Sequence, residues 1–386
     1  MSIARLLVWI VSVISGLTAP VLSMEILRCE FASAPAIAYV VYVEYFSTAS
    51  PPHQTVRRYT VGKLQTEVPK SAGDLLFYSI YDEGIAGMSL SPSGKYLLVA
   101  ADNKHWIATP DSDLWLVSVD SKRQIRLTTD NAGYRDFRWT FDESLVGYSR
   151  QEAEGEYALY VQDTGTRKRK KLLAESFDSA WLPGHHLLVA TSFRKDGLLV
   201  MQPDGGKLTT VRKGAKGGFV AVSQSGRRVV WVYHNRIRVV EWPADTNKVF
   251  QPAAWKSIGM FQPPVSPEES AFSPDGRLLA FLMPLDENAE QASQVIVVNP
   301  VSGLARNLGR LSGVVYQMRW SRKGEYLLLL HKDKISSPPE LWAVPIGKAP
   351  LQPFRTLDWS QRSKAEYSVA LRFPNNTEQV EWVESR

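Results

Sequence analysis

The side chains in this chain best suited to chemistry are few. Six histidines stand at positions 53, 105, 185, 186, 234 and 331. Neutral imidazole is a common ligand for divalent metals, and three rings meeting at one point would hold a cation. His105, His234 and His331 each fall in or beside a connection between two apolar runs, so they are the set that a metal would use. Their offsets from the nearest turn glycine differ: His234 is eight residues after Gly226, and His331 is seven after Gly324. Side chains alternate along a strand, so these offsets do not imply a shared direction. The reading is no metal and no cofactor, with that histidine triple as the alternative.

Nucleophilic catalysis finds less support. A strand-to-helix nucleophile elbow needs the pattern G-x-S-x-G. The nearest stretch, Gly87-Met88-Ser89-Leu90-Ser91, lacks the closing glycine and falls within a strand. Phosphate-cradling glycine loops, the dinucleotide fingerprint and H-E-x-x-H are all absent from the sequence. The net charge of +6 is a mild basic balance. The basic run Arg167 to Lys171 reads as a solvated hairpin, so no nucleic acid is expected.

The elements that would carry these residues repeat. Ser-Pro-Asp-Gly stands at 273–276 between two apolar runs, in AFSPDGRLLAF. Related turns have Gly94, Glu143, Gly184, Gly226, Gly276, Gly324 and Asn376 at the matching place, 41 to 52 residues apart. Glycine and asparagine tolerate the positive φ that such a turn needs. Glu143 does not fit that rule, and a different turn is expected there. A large apolar residue often precedes the turn: Leu90, Trp139, Trp181, Val222, Phe272 and Trp320. The run after the turn is continuously apolar, as for a strand covered on both faces. A third strand and a polar edge strand follow. The 44% hydrophobic content and the many aromatics agree with a folded, β-rich chain.

This period predicts an all-β protein: a single β-propeller, most simply of seven four-stranded blades, with six or eight as alternatives. One blade is expected to be composite, from residues 55–69 and 360–386, so that the chain ends close the ring. Two outer strands would then come from the N-terminal side and two inner ones from the C-terminal side. The propeller would span 55–386. Residues 36–46 have no clear place on this reading, and residues 75–81 are a possible linker strand.

The S-P-D-G-[KR]-x-[LI]-x-[FV] pattern resembles the TolB-like β-propeller repeat. The carrying residues are Ser273-Pro274-Asp275-Gly276-Arg277 and Ser91-Pro92-Ser93-Gly94-Lys95. The resemblance covers residues 55 to 385 and bears on architecture. It implies membership in a group that includes periplasmic adaptor proteins and the lid domains of serine peptidases. An N-terminal domain like that of TolB itself is not evident.

The first residues read as a leader. Arg5 precedes an apolar run broken at Pro20, and cleavage after Ser23 leaves an extension over 24–54. That implies a periplasmic or secreted protein with no stable membrane span after cleavage. A retained N-terminal membrane anchor and a start at Met24 are the alternatives. The single Cys29 excludes an internal disulfide framework.

Binding is expected on the loops between second and third strands, which differ in length and make an uneven rim. The candidates are His105, Trp106, Asp111, Asp113, Arg194, His234, Arg236, Asp286 and Lys332. The expected function is a non-catalytic binder of a protein or peptide partner. The alternatives are a metal-dependent lyase or hydrolase acting on an acidic saccharide, and a structural subunit of a larger assembly.

Overall fold

A computed structural model describes residues 37–46, 53–61, 67–79, 84–102, 112–225, 227–264, 269–284, 292–334, 336–347, 351–357, 365, 367–374 and 377–384. The expected leader and Cys29 lie outside the described residues. The chain forms seven antiparallel sheets arranged as the blades of a propeller.

Blade 1 holds strands Ile85–Leu90, Tyr96–Asp102, Ser112–Ser118 and Gln124–Arg126. Blade 2 holds Tyr134–Trp139, Leu145–Ala153, Glu156–Asp163 and Arg169–Leu173. Blade 3 holds Ser176–Leu182, Leu187–Ser192, Asp196–Met201 and Leu208–Lys216. Blade 4 holds Phe219–Val222, Arg228–Tyr233, Arg236–Glu241 and Lys256–Phe261. Blade 5 holds Glu269–Phe272, Leu279–Pro284, Ala292–Asn299 and Leu304–Ser312. Blade 6 holds Val314–Trp320, Tyr326–Lys332, Glu340–Pro345 and Ser368–Arg372.

The seventh blade closes the ring, as the sequence implies, but with a different division of strands. Its order from the centre outward is Thr377–Glu384, Ile37–Phe46, His53–Thr60 and Asp74–Ser79. One strand comes from the C-terminal side and three from the N-terminal side, rather than two and two. Ile37–Phe46, which had no place in the sequence reading, is the buried second strand. Val40, Val41, Tyr42 and Val43 are fully enclosed. The outer strand is Asp74–Ser79, and of the expected 55–69 the residues 62–66 lie outside the described residues. Ser368–Arg372 is the edge of blade 6 and not the inner strand of blade 7. Asn376 lies outside the described residues.

Blade 5 carries an addition from residues 351–357. Gln352–Pro353 adds a fifth strand to blade 5, beside Leu304 and Ala305. Phe354 then packs against Phe261 and Phe281, at 5.1 and 6.2 Å between ring centroids. The insertion covers an edge that would otherwise be open for pairing.

The core consists of apolar wedges between neighbouring blades. One joins the closing blade to blade 6 through Tyr42, Val380 and Trp382 against Leu328 and Leu341. Another joins it to blade 1 through Val41, Val43 and Val56 against Leu97 and Val99. The second strands are continuously buried, as in Leu97–Ala101 and Leu279–Met283, because a blade covers each face.

The repeated turns gain from their hydroxyl as well as their glycine. Ser91, Ser223, Ser273 and Ser321 are buried, and each Oγ accepts from the backbone N–H five residues on, at 2.9 to 3.1 Å. Thr140 does the same in blade 2, at 3.0 Å. Glu143 takes φ 63° in the place that Gly94 fills at φ 76°, so the turn is of the same kind there and the expected departure does not occur. The Glu143 carboxylate also accepts from the Ser93 N–H of blade 1, at 2.6 Å, an attachment glycine lacks.

Candidate functional site

Antiparallel strands send successive connections to opposite ends of a blade. Connections between first and second strands therefore share one face of the ring, the turn face. Those between second and third strands share the other, the loop face. Among the described residues, a mouth of the central channel opens on the turn face. It is a cavity of about 850 Å³ lined from six of the seven blades.

Aromatic side chains and arginines line this mouth, together with the carboxylates Asp142 and Glu384. Phe141, at the tip of the blade 2 turn, is 70% exposed. Trp139, Trp181 and Trp382 contribute to the walls. Three first-strand tryptophans also hydrogen-bond to the neighbouring blade. The Trp139 indole N–H donates to the Ser89 carbonyl at 3.3 Å, and that of Trp181 to the Arg138 carbonyl at 2.7 Å. Trp320 donates to Ala271 at 2.9 Å. These bonds join the inner strands of blades 1 and 2, 2 and 3, and 5 and 6.

Three arginines line the same mouth: Arg138, Arg319 and Arg322. Arg138 is steered by buried Asp178, at 3.3 Å, and by the Ser179 carbonyl at 3.2 Å. Asp178 also accepts from the Val220 N–H of blade 4 at 2.9 Å and from the Ser179 N–H at 2.8 Å. Burial pushes the Asp178 carboxyl up, against the opposing pull of Arg138 and these N–H donors. Arg319 pairs with Glu381 and lies 4.7 Å over the Trp382 ring. Arg322 has its backbone N–H on the Glu384 carboxylate at 3.0 and 3.1 Å. Its guanidinium makes no ion pair among the described residues.

Beside Phe141, His186 Nε2 lies 3.0 Å from the Asp142 carboxylate. Burial raises the Asp142 pKa, but hydrogen bonds from Thr140 and Ser144, with the His186 charge, outweigh it and bring the group to about 2. The depressed value means that this stabilisation is present above the ordinary carboxylate range and is lost as pH falls through about 2. A carbon NMR titration is expected to place the Asp142 midpoint near 2. A midpoint in the ordinary range would remove the interaction. Both groups are half exposed, so the pair contributes little to folding.

The residues expected from the sequence divide otherwise. His105, Trp106, Asp111 and Asp286 lie outside the described residues. Asp113 is fully buried and paired with Arg126, with its other oxygen 3.3 Å from the Asn131 N–H, so it braces its blade. Arg194 is exposed and paired with Glu175. His234 takes a positive φ of 48° at a tight turn, and Arg236 beside it is exposed. The Lys332 ammonium lies 5.4 Å over the Tyr316 ring.

His331 is buried, stacked on Trp342 at 3.5 Å, with Nε2 at 2.5 Å from the Ser312 carbonyl. Burial lowers its pKa. It is a packed element of blade 6 and does not stand on the rim. His185 and His186 are on the turn face, away from the connection that holds His234. Among the described residues, no three His, Cys, Asp or Glu side chains group as a metal site requires. The basic run in blade 2 is partly neutralised, with Arg169 on Asp130 at 2.7 Å and Lys171 on Glu152 at 2.6 Å.

Sequence reasoning missed the mouth residues Arg138, Phe141, Arg319, Arg322 and Trp382. A signal for several was present. In R-W, A-W, R-W and E-W, at 138–139, 180–181, 319–320 and 381–382, the tryptophan joins blades while alternation turns its predecessor to the channel side.

The architecture defines the molecule as a seven-bladed β-propeller. No protein-family model matches the chain, and no curated protein matches it. Solved structures do. It is similar to an oligogalacturonate lyase in complex with manganese, at 13% identity and TM-score 0.54, over 80% of this chain and 91% of that one. It is similar to the periplasmic gluconolactonase PpgL of Pseudomonas aeruginosa, at 13% identity and TM-score 0.53, over 89% and 99%. A prolyl endopeptidase matches at 17% identity and TM-score 0.52, over 90% of this chain and 52% of that one. At these identities the likeness shows the fold, which hosts lyases, hydrolases and binding scaffolds alike.

Proposed function

We propose that this propeller is a non-catalytic binding protein that takes a segment of a protein or peptide partner in the turn-face mouth of its channel. The observation that carries this reading is the composition of the mouth: an exposed Phe141 and three arginines line one cavity. Aromatic and arginine side chains are the usual anchors of protein interfaces. Arg322, exposed and without an ion pair among the described residues, suits a carboxylate on the bound segment. The uneven loop rim on the other face remains available to the same partner. The TolB-like turns and the leader-like first residues support a place in the cell envelope or outside the cell, with N-terminal anchoring as the alternative. No helix among the described residues is long and apolar enough to cross a membrane.

The test is partner capture from the native compartment with a photo-crosslinker at the mouth. Phe141→Ala with Arg322→Ala is expected to lose a specific partner that the wild type retains, with affinity reduced at least about tenfold and melting unchanged. An unchanged partner list would discard the mouth as the binding site. The competing reading is a metal-dependent lyase or hydrolase acting on an acidic saccharide. It draws on the likeness to the manganese-bound lyase and needs ligands that include His105. Turnover of an acidic oligosaccharide by the purified protein with added manganese would establish that reading instead. The third alternative, a structural subunit of a larger assembly, predicts an apolar patch on a flank.

A further inference from the structure

On the loop face, away from the channel mouth, three phenylalanines form a cluster that none of the interblade wedges includes. Phe177 lies in the first strand of blade 3, Phe193 in the following second-to-third-strand turn, and Phe219 starts the first strand of blade 4. Phe177 meets Phe193 at 5.0 Å and 64°, and Phe219 at 5.1 Å and 77°, both edge-on. Phe193 and Phe219 remain 53% and 44% exposed. Edge-on packing gives aromatic pairs a preferred geometry beyond simple burial, so the rings support one another while their outer surfaces stay open.

The cluster is held by backbone that leaves it little freedom. Blade 3 passes to blade 4 through only Gly217 and Gly218. Both take positive φ, at 68° and 99°. At Gly218 a Cβ would run into the Val232 carbonyl, so glycine is required there. The linker is also tied on both sides. The Trp231 indole donates to the Gly217 carbonyl at 3.1 Å, and the Thr191 hydroxyl donates to that of Gly218. This short connection sets Phe219 against Phe177.

The surroundings are basic. Lys195 follows Phe193 in its turn, Lys216 precedes the glycine pair, and Arg236 opens the third strand of blade 4 beside the Tyr233–Arg236 end of its ladder. All three are exposed and none makes an ion pair among the described residues. The nearby acids are Glu175, Asp196 and Glu156, whose charge reaches Arg194. Glu175 is taken by Arg194, and Asp196 is the register partner of Lys216. A pre-set aromatic platform under a surplus of cations suits a segment with an apolar anchor among acidic residues.

We infer that this cluster is a second docking surface, separate from the channel mouth, and that its occupant is an acidic segment of a partner protein carrying an aromatic anchor. The rings provide the contact area. Lys195, Lys216 and Arg236 choose the sign of the flanking charge.

The probe is a fluorescein-labelled peptide of glutamates around a single tryptophan. Its controls are a lysine peptide with the same tryptophan and the glutamate peptide with alanine in its place. Anisotropy with the full chain is expected to favour the first peptide at least about tenfold over both controls, more so at low salt. Phe193→Ser with Phe219→Ser should lose that preference, with near-native melting because both rings are half exposed. Lys195→Glu with Arg236→Glu should lose it without touching the aromatic packing. Arg322→Ala in the channel mouth should leave it intact, which separates failure here from failure of the proposed mouth site. Equal binding of all three peptides, binding unaffected by both loop-face variants, or a concentration-dependent dimer abolished by the phenylalanine substitutions would overturn the assignment.

Discussion

Deleting the last described strand, Thr377–Glu384, is expected to abolish the native fold. That strand is the inner strand of the closing blade and pairs along Ile37–Phe46. Val380 and Trp382 are buried in the wedge with blade 6. Full burial of each such side chain is worth about 1.5–3 kcal/mol, and the interstrand ladder is lost as well. Folded domains hold only about 5–15 kcal/mol in reserve, so the sum removes most of it. The loss also bares a long, apolar strand edge, which pairs with other chains. The truncated protein should elute as aggregate and lack a near-ultraviolet dichroism signal. Adding the missing strand as a synthetic peptide during refolding should restore both. A truncated monomer with the full-length spectrum and melting curve would show that the ring does not depend on this closure.

The second large effect is expected at Asp178. One carboxylate links three blades: it accepts from Arg138 of blade 2, from its own neighbour Ser179 in blade 3, and from the Val220 N–H of blade 4. Asp178→Ala leaves two backbone donors and a half-buried guanidinium without their acceptor. Leaving a buried donor without its acceptor costs about 1–3 kcal/mol for each. The midpoint of urea denaturation should fall accordingly. Asp178→Asn, which keeps one acceptor oxygen, should lose less.

The pH dependence follows from the direction of the shift. Burial raises the Asp178 carboxyl above its unfolded value. Its favourable contribution is therefore complete below the unfolded value and is lost as pH rises through the folded one. The wild type should show that negative slope and the asparagine variant should not. Equal slopes would mean that Asp178 is as readily ionised in the folded chain as in the unfolded one.

The turn pattern shows how far sequence carries. Ser-Pro-Asp-Gly and its relatives recur because each blade needs the same tight reversal, and local chemistry meets that need. The hydroxyl bond from Ser91, Ser273 or Ser321 to the N–H five residues later is equally local. The blade count was legible for that reason. The closing blade was misdivided because Arg372 to Asn376 resembles another such turn, while the Glu381-Trp382 pair that parallels Arg319-Trp320 carries the inner-strand signal. AIAYVVYVEYF, at 36–46, has the continuous apolar character of the other second strands. It lacks only the preceding turn, because its first strand arrives from the far end of the chain.

The sites were far less legible. Arg138, Arg319 and Arg322 share one mouth although the first stands more than 180 residues before the others. Phe177, Phe193 and Phe219 meet through two glycines whose role is clear only when Val232 and Trp231 are in place. Sequence alone determined the repeat, the continuous second strands and the architecture, because these rest on contacts within one blade or on a period repeated around the ring. The tertiary structure decided which blade the N-terminal strands complete, which histidine is packed away, and where aromatic and charged side chains converge. Those outcomes depend on contacts between blades, where the partners are set by closure of the ring and by the side of each strand that faces the channel.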